Sequence, residues 1–176
     1  MKIIERDIPA DSQVSTFLER IDFHDSYEVH LNNADIDIRQ LYQSVFTVAP
    51  WWVKKLFILR NKIVSVFGLK GATAAEMDHT EFTLDSAIGD KIGVFKLYSI
   101  ADNEVITGED DKHLDFRISV LKIARDEGCS VVVTTVVKFN NSFGRAYLFF
   151  IKPFHKIIVK HLVKAAASRI NVQAIA

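Results

Sequence analysis

Five stretches between residues 91 and 152 read as strands, and the links between them are too short for anything but hairpins. They are "KIGVFKLYSI" (91–100), "EVITGED" (104–110), "HLDFRISVLKI" (113–123), "SVVVTTVVKFN" (130–140) and "GRAYLFFIK" (144–152). The links carry Asp102-Asn103, Asp110-Asp111-Lys112, Asp126-Glu127-Gly128 and Asn140-Asn141-Ser142, residues whose short side chains bond back to the backbone or which tolerate tight turns. Parallel neighbours would need long crossovers, so an antiparallel meander follows. Pro153 is read as closing the last strand and opening a final helix. Phe154, Ile157, Ile158, Leu162, Ala165 and Ala166 form the apolar stripe of that helix, and Lys156, Lys160 and Lys164 a solvated face.

Upstream of the meander the pattern is mixed. "DSQVSTFLERI" (11–21) spaces Val14, Phe17, Leu18 and Ile21 as a lead-in helix behind Asp11. "YEVHL" (27–31) alternates as a strand. Two short helices are expected next. Asp37 caps the first, with Ile38, Leu41, Tyr42 and Val45 on its buried side, and Pro50 opens the second, which runs to Gly68. Residues 70–91 read as irregular apart from a possible short strand at "TEFTLD" (80–85).

This order implies an α+β, helix-grip domain. A curved antiparallel sheet of six to seven strands wraps on the long C-terminal helix, and two short helices follow the first strand. The 176 residues make one domain, with residues 1–25 as a lead-in segment. A strongly curved sheet gripping one helix leaves room beneath it, so a ligand cavity is a geometric expectation. The 13 phenylalanines can close such a hollow or wall it.

Charge and cysteine content remove several classes. The 22 basic residues balance 22 acidic ones, and no concentrated basic stretch suits a nucleic acid. One cysteine, Cys129, precludes an internal disulfide and fits a reducing compartment. "MKIIERDIPAD" is too charged to read as a secretion signal, and no window is apolar enough to span a bilayer. The expectation is a cytoplasmic protein that is not an integral membrane protein.

The segments "APWWVKKLFILRNKIVSVFGL", "GEDDKHLDFRISV" and "GRAYLFFIKPFHKIIVKHLVKAA" resemble a bacterial family known only as domain of unknown function 2867. That family is grouped with the START and Bet v 1-like helix-grip superfamily. The resemblance covers about residues 27 to 168 and implies the same fold and a tendency to bind ligands, but no catalytic residues. In some members the domain is joined to a dehydrogenase-like domain that binds a dinucleotide. This chain has no G-x-G-x-x-G, so no dinucleotide site is carried over and no cofactor is expected.

Candidate site residues follow from strand phase. His113, Asp115, Arg117 and Ser119 share one face of their strand, opposite Leu114, Phe116, Ile118 and Val120. Read structurally, Asp115 and Arg117 pair across an outward sheet face. Read functionally, Arg117 holds an acidic ligand group while His113 and Asp111 move a proton. Thr135 and Tyr147 supply hydroxyl anchors in an otherwise apolar pocket, Phe116 part of its wall, and Trp52 its entrance. Asp85 is a further titratable candidate. No metal motif is spelled out, no G-x-S-x-G occurs, and Cys129 reads as an incidental thiol.

The leading expectation is non-catalytic binding of a hydrophobic small molecule, lipid-like or aromatic, between sheet and helix. The alternatives are a cyclase, dehydratase or isomerase in the same cavity, or an interaction module for a partner such as a separately encoded reductase.

Overall fold

The computed structural model describes residues 2–46, 86–92 and 95–173. Its elements are β1 (Ile4–Arg6), a 3-10 turn (Val14–Phe17), β2 (Phe23–Leu31), α1 (Ile38–Phe46), β3 (Lys91–Ile92), β4 (Phe95–Ile100), β5 (Glu104–Asp110), β6 (Leu114–Ala124), β7 (Cys129–Phe139) and α2 (Ser142–Gln173). The strands form one seven-stranded antiparallel sheet ordered β1-β2-β7-β6-β5-β4-β3. The meander therefore holds through β7, and β2 returns to pair with its last strand. The expected second short helix (50–67), the strand at 80–85, Trp52 and Asp85 lie outside the described residues.

Residues 144–152 are the clearest correction. They are helical, not a strand, and belong to α2. The β-branched and aromatic content of "YLFFI" suggests a strand, but Gly144, Leu148, Val159, Val163, Ala166 and Ile170 are buried at helical steps, and tertiary packing decides. Asn141 starts the helix rather than turning a hairpin: its Oδ1 accepts the Gly144 amide at 3.1 Å, the geometry of an N-cap. Gly144 is required there, because a Cβ would lie 2.1 Å from the His113 carbonyl oxygen. Pro153 sits inside α2 and deprives the residue 149 carbonyl of its amide partner. Phe149 is exposed, so water can take that place. The stripe expected at Phe154 and Ile157 is exposed, and the buried row runs instead through Leu148, Val159, Val163 and Ala167.

From Gly144 beside His113, α2 runs along β2 and ends where the Asn171 Oδ1 accepts the Asn32 amide at 2.9 Å. α1 covers the same side of the sheet over β5 and β6 and packs on α2. Its start is as expected: Asp37 Oδ1 accepts the amides of Arg39 (2.8 Å) and Gln40 (3.3 Å), and Ile38, Leu41, Tyr42 and Val45 are buried. The main core joins these helices to Tyr27, Val29, Leu97, Val105, Val120 and Val133.

The other side of the sheet is covered by the N-terminal segment. Val14 packs on Ile106 and Val136, flanked by Ile8, Phe17, Leu18 and Ile21. The expected lead-in helix over 11–21 is only one 3-10 turn. Its first polar groups are committed to the sheet: the buried Glu104 carboxylate accepts the Ser12 hydroxyl (2.5 Å), the Gln13 amide (2.9 Å) and the Ser119 hydroxyl (2.5 Å). The polar face of β6 is thus covered rather than outward, with Arg117 and Ser119 both buried. Nearby, Glu28 binds Arg6 and Arg125. Burial raises its pKa, but bonds from Ser130, Arg125 and Arg6 outweigh this and hold it below the usual carboxylate value.

Two outcomes follow. Glu104→Ala strands two hydroxyls and one amide in a buried setting and should cost about 2–4 kcal/mol, read as a lower urea midpoint and earlier proteolytic cleavage within residues 8–21. Glu28, with Asp22 and Asp110, has a depressed pKa in the folded state. The unfolded chain therefore binds more protons, and stability should fall as pH drops through the ordinary carboxylate range towards the lower folded values. Glu28→Gln should flatten that fall in acid melts.

Candidate functional site

Strand alternation and register place three cross-strand rows on the helix-side face. Phe23, Val137, Phe116 and Glu109 form one, and Tyr27, Val133, Val120 and Val105 another. Between them runs Asp25, Thr135, Ile118 and Thr107. Three of the four residues in that middle row are polar, and all three are buried.

Each polar member has a different solution. Asp25 Oδ1 lies 3.2 Å from His155 Nε2 on α2, and its Oδ2 accepts the Tyr27 hydroxyl at 3.4 Å. Burial, followed by the Asp25 charge, pushes the Tyr27 pKa well above its ordinary value, so the phenol stays a donor. Thr107 Oγ1 accepts the Tyr42 hydroxyl at 3.0 Å, and burial likewise raises the Tyr42 pKa. Among the described residues, Thr135 Oγ1 has no hydrogen-bond partner although the residue is only 5% exposed. One row away, Glu109 Oε2 is also buried without one. A buried polar atom left unmatched costs about 1–3 kcal/mol, so both are departures that require an explanation.

The sequence-derived candidates divide between the two faces. Thr135, Phe116 and Tyr147 share the helix side, where Phe116 and Tyr147 pack with Leu114, Val137 and Leu148. His113 and Asp111 meet at the end of this face, with Nδ1 3.4 Å from Asp111 Oδ2. The buried His113 ring lies edge-on to Phe143 (5.5 Å) and Tyr147 (5.2 Å).

Arg117 lies on the opposite side of the sheet. Its guanidinium stacks 3.6 Å from the Tyr98 ring centroid and donates to Asp110 Oδ1 and the Phe116 carbonyl, both at 2.8 Å. It does not pair with Asp115, which binds Lys138 at 2.9 Å. Burial pushes Tyr98 up to about 12, helped by its bond to Asp110. Asp110, pushed up by burial, is held below its usual value by the bonds from Tyr98 and Arg117. Arg117 thus closes the β5–β6 hairpin and shares no surface with Thr135. Cys129 is buried, donates to the Asn33 carbonyl (3.2 Å) and has its pKa raised by burial.

Asp25, His155 and Glu109 were not among the sequence candidates. A signal for Asp25 is present in "FHDSYEVHL": it falls in phase with Phe23, Tyr27, Val29 and Leu31, a carboxylate at an apolar position. Starting that strand at Tyr27 hides it. His155 is in helical phase with Leu148 and Val159 only once Pro153 is allowed inside the helix.

Residues 17–162 match the family described as "Protein of unknown function (DUF2867)", and the chain belongs to that family. Among solved structures it is similar to an uncharacterized protein from Rhizobium leguminosarum at 15% identity. That match covers 84% of this chain and 95% of the other, with a TM-score of 0.43. No curated protein matches the chain. Among the described residues, no helix is long and apolar enough to cross a membrane, and no three His, Cys, Asp or Glu residues gather as a metal site.

Thr135→Val replaces an unmatched hydroxyl with a methyl of the same shape. It should leave stability unchanged or raise it by about 1–2 kcal/mol; a clear fall in melting temperature would mean that the hydroxyl has a structural partner.

Proposed function

We propose that this chain is a helix-grip domain of the START/Bet v 1-like kind that binds an apolar small molecule bearing a hydroxyl group, without transforming it. The site is the helix-side face between the sheet and α2, and the setting proposed is the cytoplasm. The observation that carries this reading is the pair of unmatched acceptors, Thr135 Oγ1 and Glu109 Oε2, on a largely apolar face whose other buried polar side chains, Asp25 and Thr107, are matched. Burying ligand hydrocarbon against Phe116, Ile118 and Val137 would supply affinity at roughly 25 cal/mol per Å². A ligand hydroxyl donated to Glu109 or Thr135 would remove a penalty that the empty protein carries, and that term sets orientation. Tyr147, packed in the same apolar cluster as Phe116, lies at one end of this surface.

A second reading rests on Asp25 and His155. A buried carboxylate that orients an imidazole is the arrangement used for general acid–base chemistry, and it lies in the same row as Thr135. On that reading the domain is a cyclase, dehydratase or isomerase. His155→Gln separates the two: a binder keeps its affinity, whereas an enzyme keeps binding and loses turnover.

Long-chain alcohols and aromatic alcohols should raise the melting temperature of the protein, and Thr135→Val with Glu109→Gln should abolish most of that rise. Indifference to the whole series, in protein shown free of co-purified lipid by native mass spectrometry, would overturn the proposal.

A further inference from the structure

α2 has a second apolar row that no other described element covers. Phe150, Phe154 and Ile157 recur at four- and three-residue steps and are 69%, 46% and 59% exposed. At about 100° per residue they lie on the side of the helix opposite the row through Leu148, Val159 and Val163 that packs on the sheet. Phe149, 76% exposed, extends the patch, its ring 5.5 Å from that of Phe150. Large side chains grouped in this way on one exposed helix face mark a surface that meets something apolar.

The charges say what it meets. In a chain of zero net charge, residues 142–173 contain Arg145, Lys152, Lys156, Lys160, Lys164 and Arg169 and no Asp or Glu. Among the described residues one acidic neighbour answers two of them: Glu5 of β1 binds Lys156 (2.7 Å) and Lys160 (3.4 Å). Arg145, Lys152 and Lys160 lie over the rings of Phe139, Phe23 and Tyr27 on the sheet side, which leaves a helix of net positive charge with Lys164 in phase with the exposed row. A symmetric contact with a second copy would set two such helices against each other and oppose like charges. Crossing a membrane is ruled out for this helix by its length of apolar sequence.

We propose that the outward face of α2 docks on an anionic lipid bilayer, with Phe150, Phe154 and Ile157 in the headgroup boundary and Lys164, seven residues beyond Ile157 on the same face, at its acidic headgroups. The chemistry is that of an interfacial amphipathic helix, where buried apolar area and attraction to acidic lipid act together. Lysine stems can lie along the bilayer while their ammonium groups reach outward to phosphate. The inference stands independently of what the helix-side face binds.

Flotation of the full chain with vesicles tests it. Binding is expected to vesicles of phosphatidylcholine mixed with phosphatidylserine and not to phosphatidylcholine alone, and it should weaken as salt screens the charges. Phe150→Ser with Phe154→Ser should weaken binding at least about tenfold, and Lys164→Gln about fivefold, with the unfolding midpoint unchanged because these side chains are exposed. Failure to bind the acidic vesicles, or binding untouched by the double substitution, overturns the proposal. So does a dimer seen by light scattering that the double substitution converts to monomer, since the face would then belong to a second copy.

Discussion

The contact of α2 with β2 is the constraint on which the rest of the helix-side face depends. It is fixed at both ends, by the close approach of Gly144 to the His113 backbone and by the Asn32–Asn171 bond. Between those points the buried α2 side chains pack on β2, β7, α1 and, at Leu148, on Leu114 and Phe116 of β6. That geometry turns the middle cross-strand row into an enclosed polar line, because Asp25 reaches His155 only while the helix lies there. A carboxylate this buried would be untenable without His155 and Tyr27 to answer it.

The two faces of the sheet differ in which buried polar atoms they leave unmatched. Behind the sheet, Glu104 receives three donors, Ser26 meets Thr134 at 2.9 Å, and Arg117 is held by Asp110, backbone and the Tyr98 ring, with only its Nε unmatched among the described residues. On the helix side, Thr135 and Glu109 each leave a buried oxygen unmatched. Natural structures rarely tolerate such atoms without a reason. The helix-side atoms are acceptors among apolar side chains, whereas the Arg117 Nε belongs to a guanidinium already stacked on Tyr98 and bonded to Asp110; that difference locates function on the helix side and leaves Arg117 as a hairpin fastener.

Much of the architecture was legible because it rests on local chemistry. The turns at Asp110–Lys112 and Asp126–Gly128 carry their own signals, and Gly128, at φ +75°, takes a conformation that a side chain resists. Asp37 caps α1 by the mechanism its side chain suggests. What escaped depends on partners distant in sequence. "GRAYLFFI" has strand-like composition, and only packing on Leu114 and Val137 makes it helix. Residues 11–21 have helical spacing, but Glu104, some ninety residues away, takes their donors. Of the site, Thr135, Phe116 and Tyr147 could be found from strand phase, whereas Asp25 and His155 required the register of the whole sheet.

The central claim is that an apolar molecule with a hydroxyl occupies the face beneath α2. Methyl-resolved NMR during titration with a long-chain alcohol tests it most directly, because Thr135, Ile118, Val133 and Val137 report on one side of the sheet and Thr134, Val136 and Ile106 on the other. The account predicts shifts that saturate in the first group while the second stays still. Shifts confined to the second group, or none in either, would contradict it.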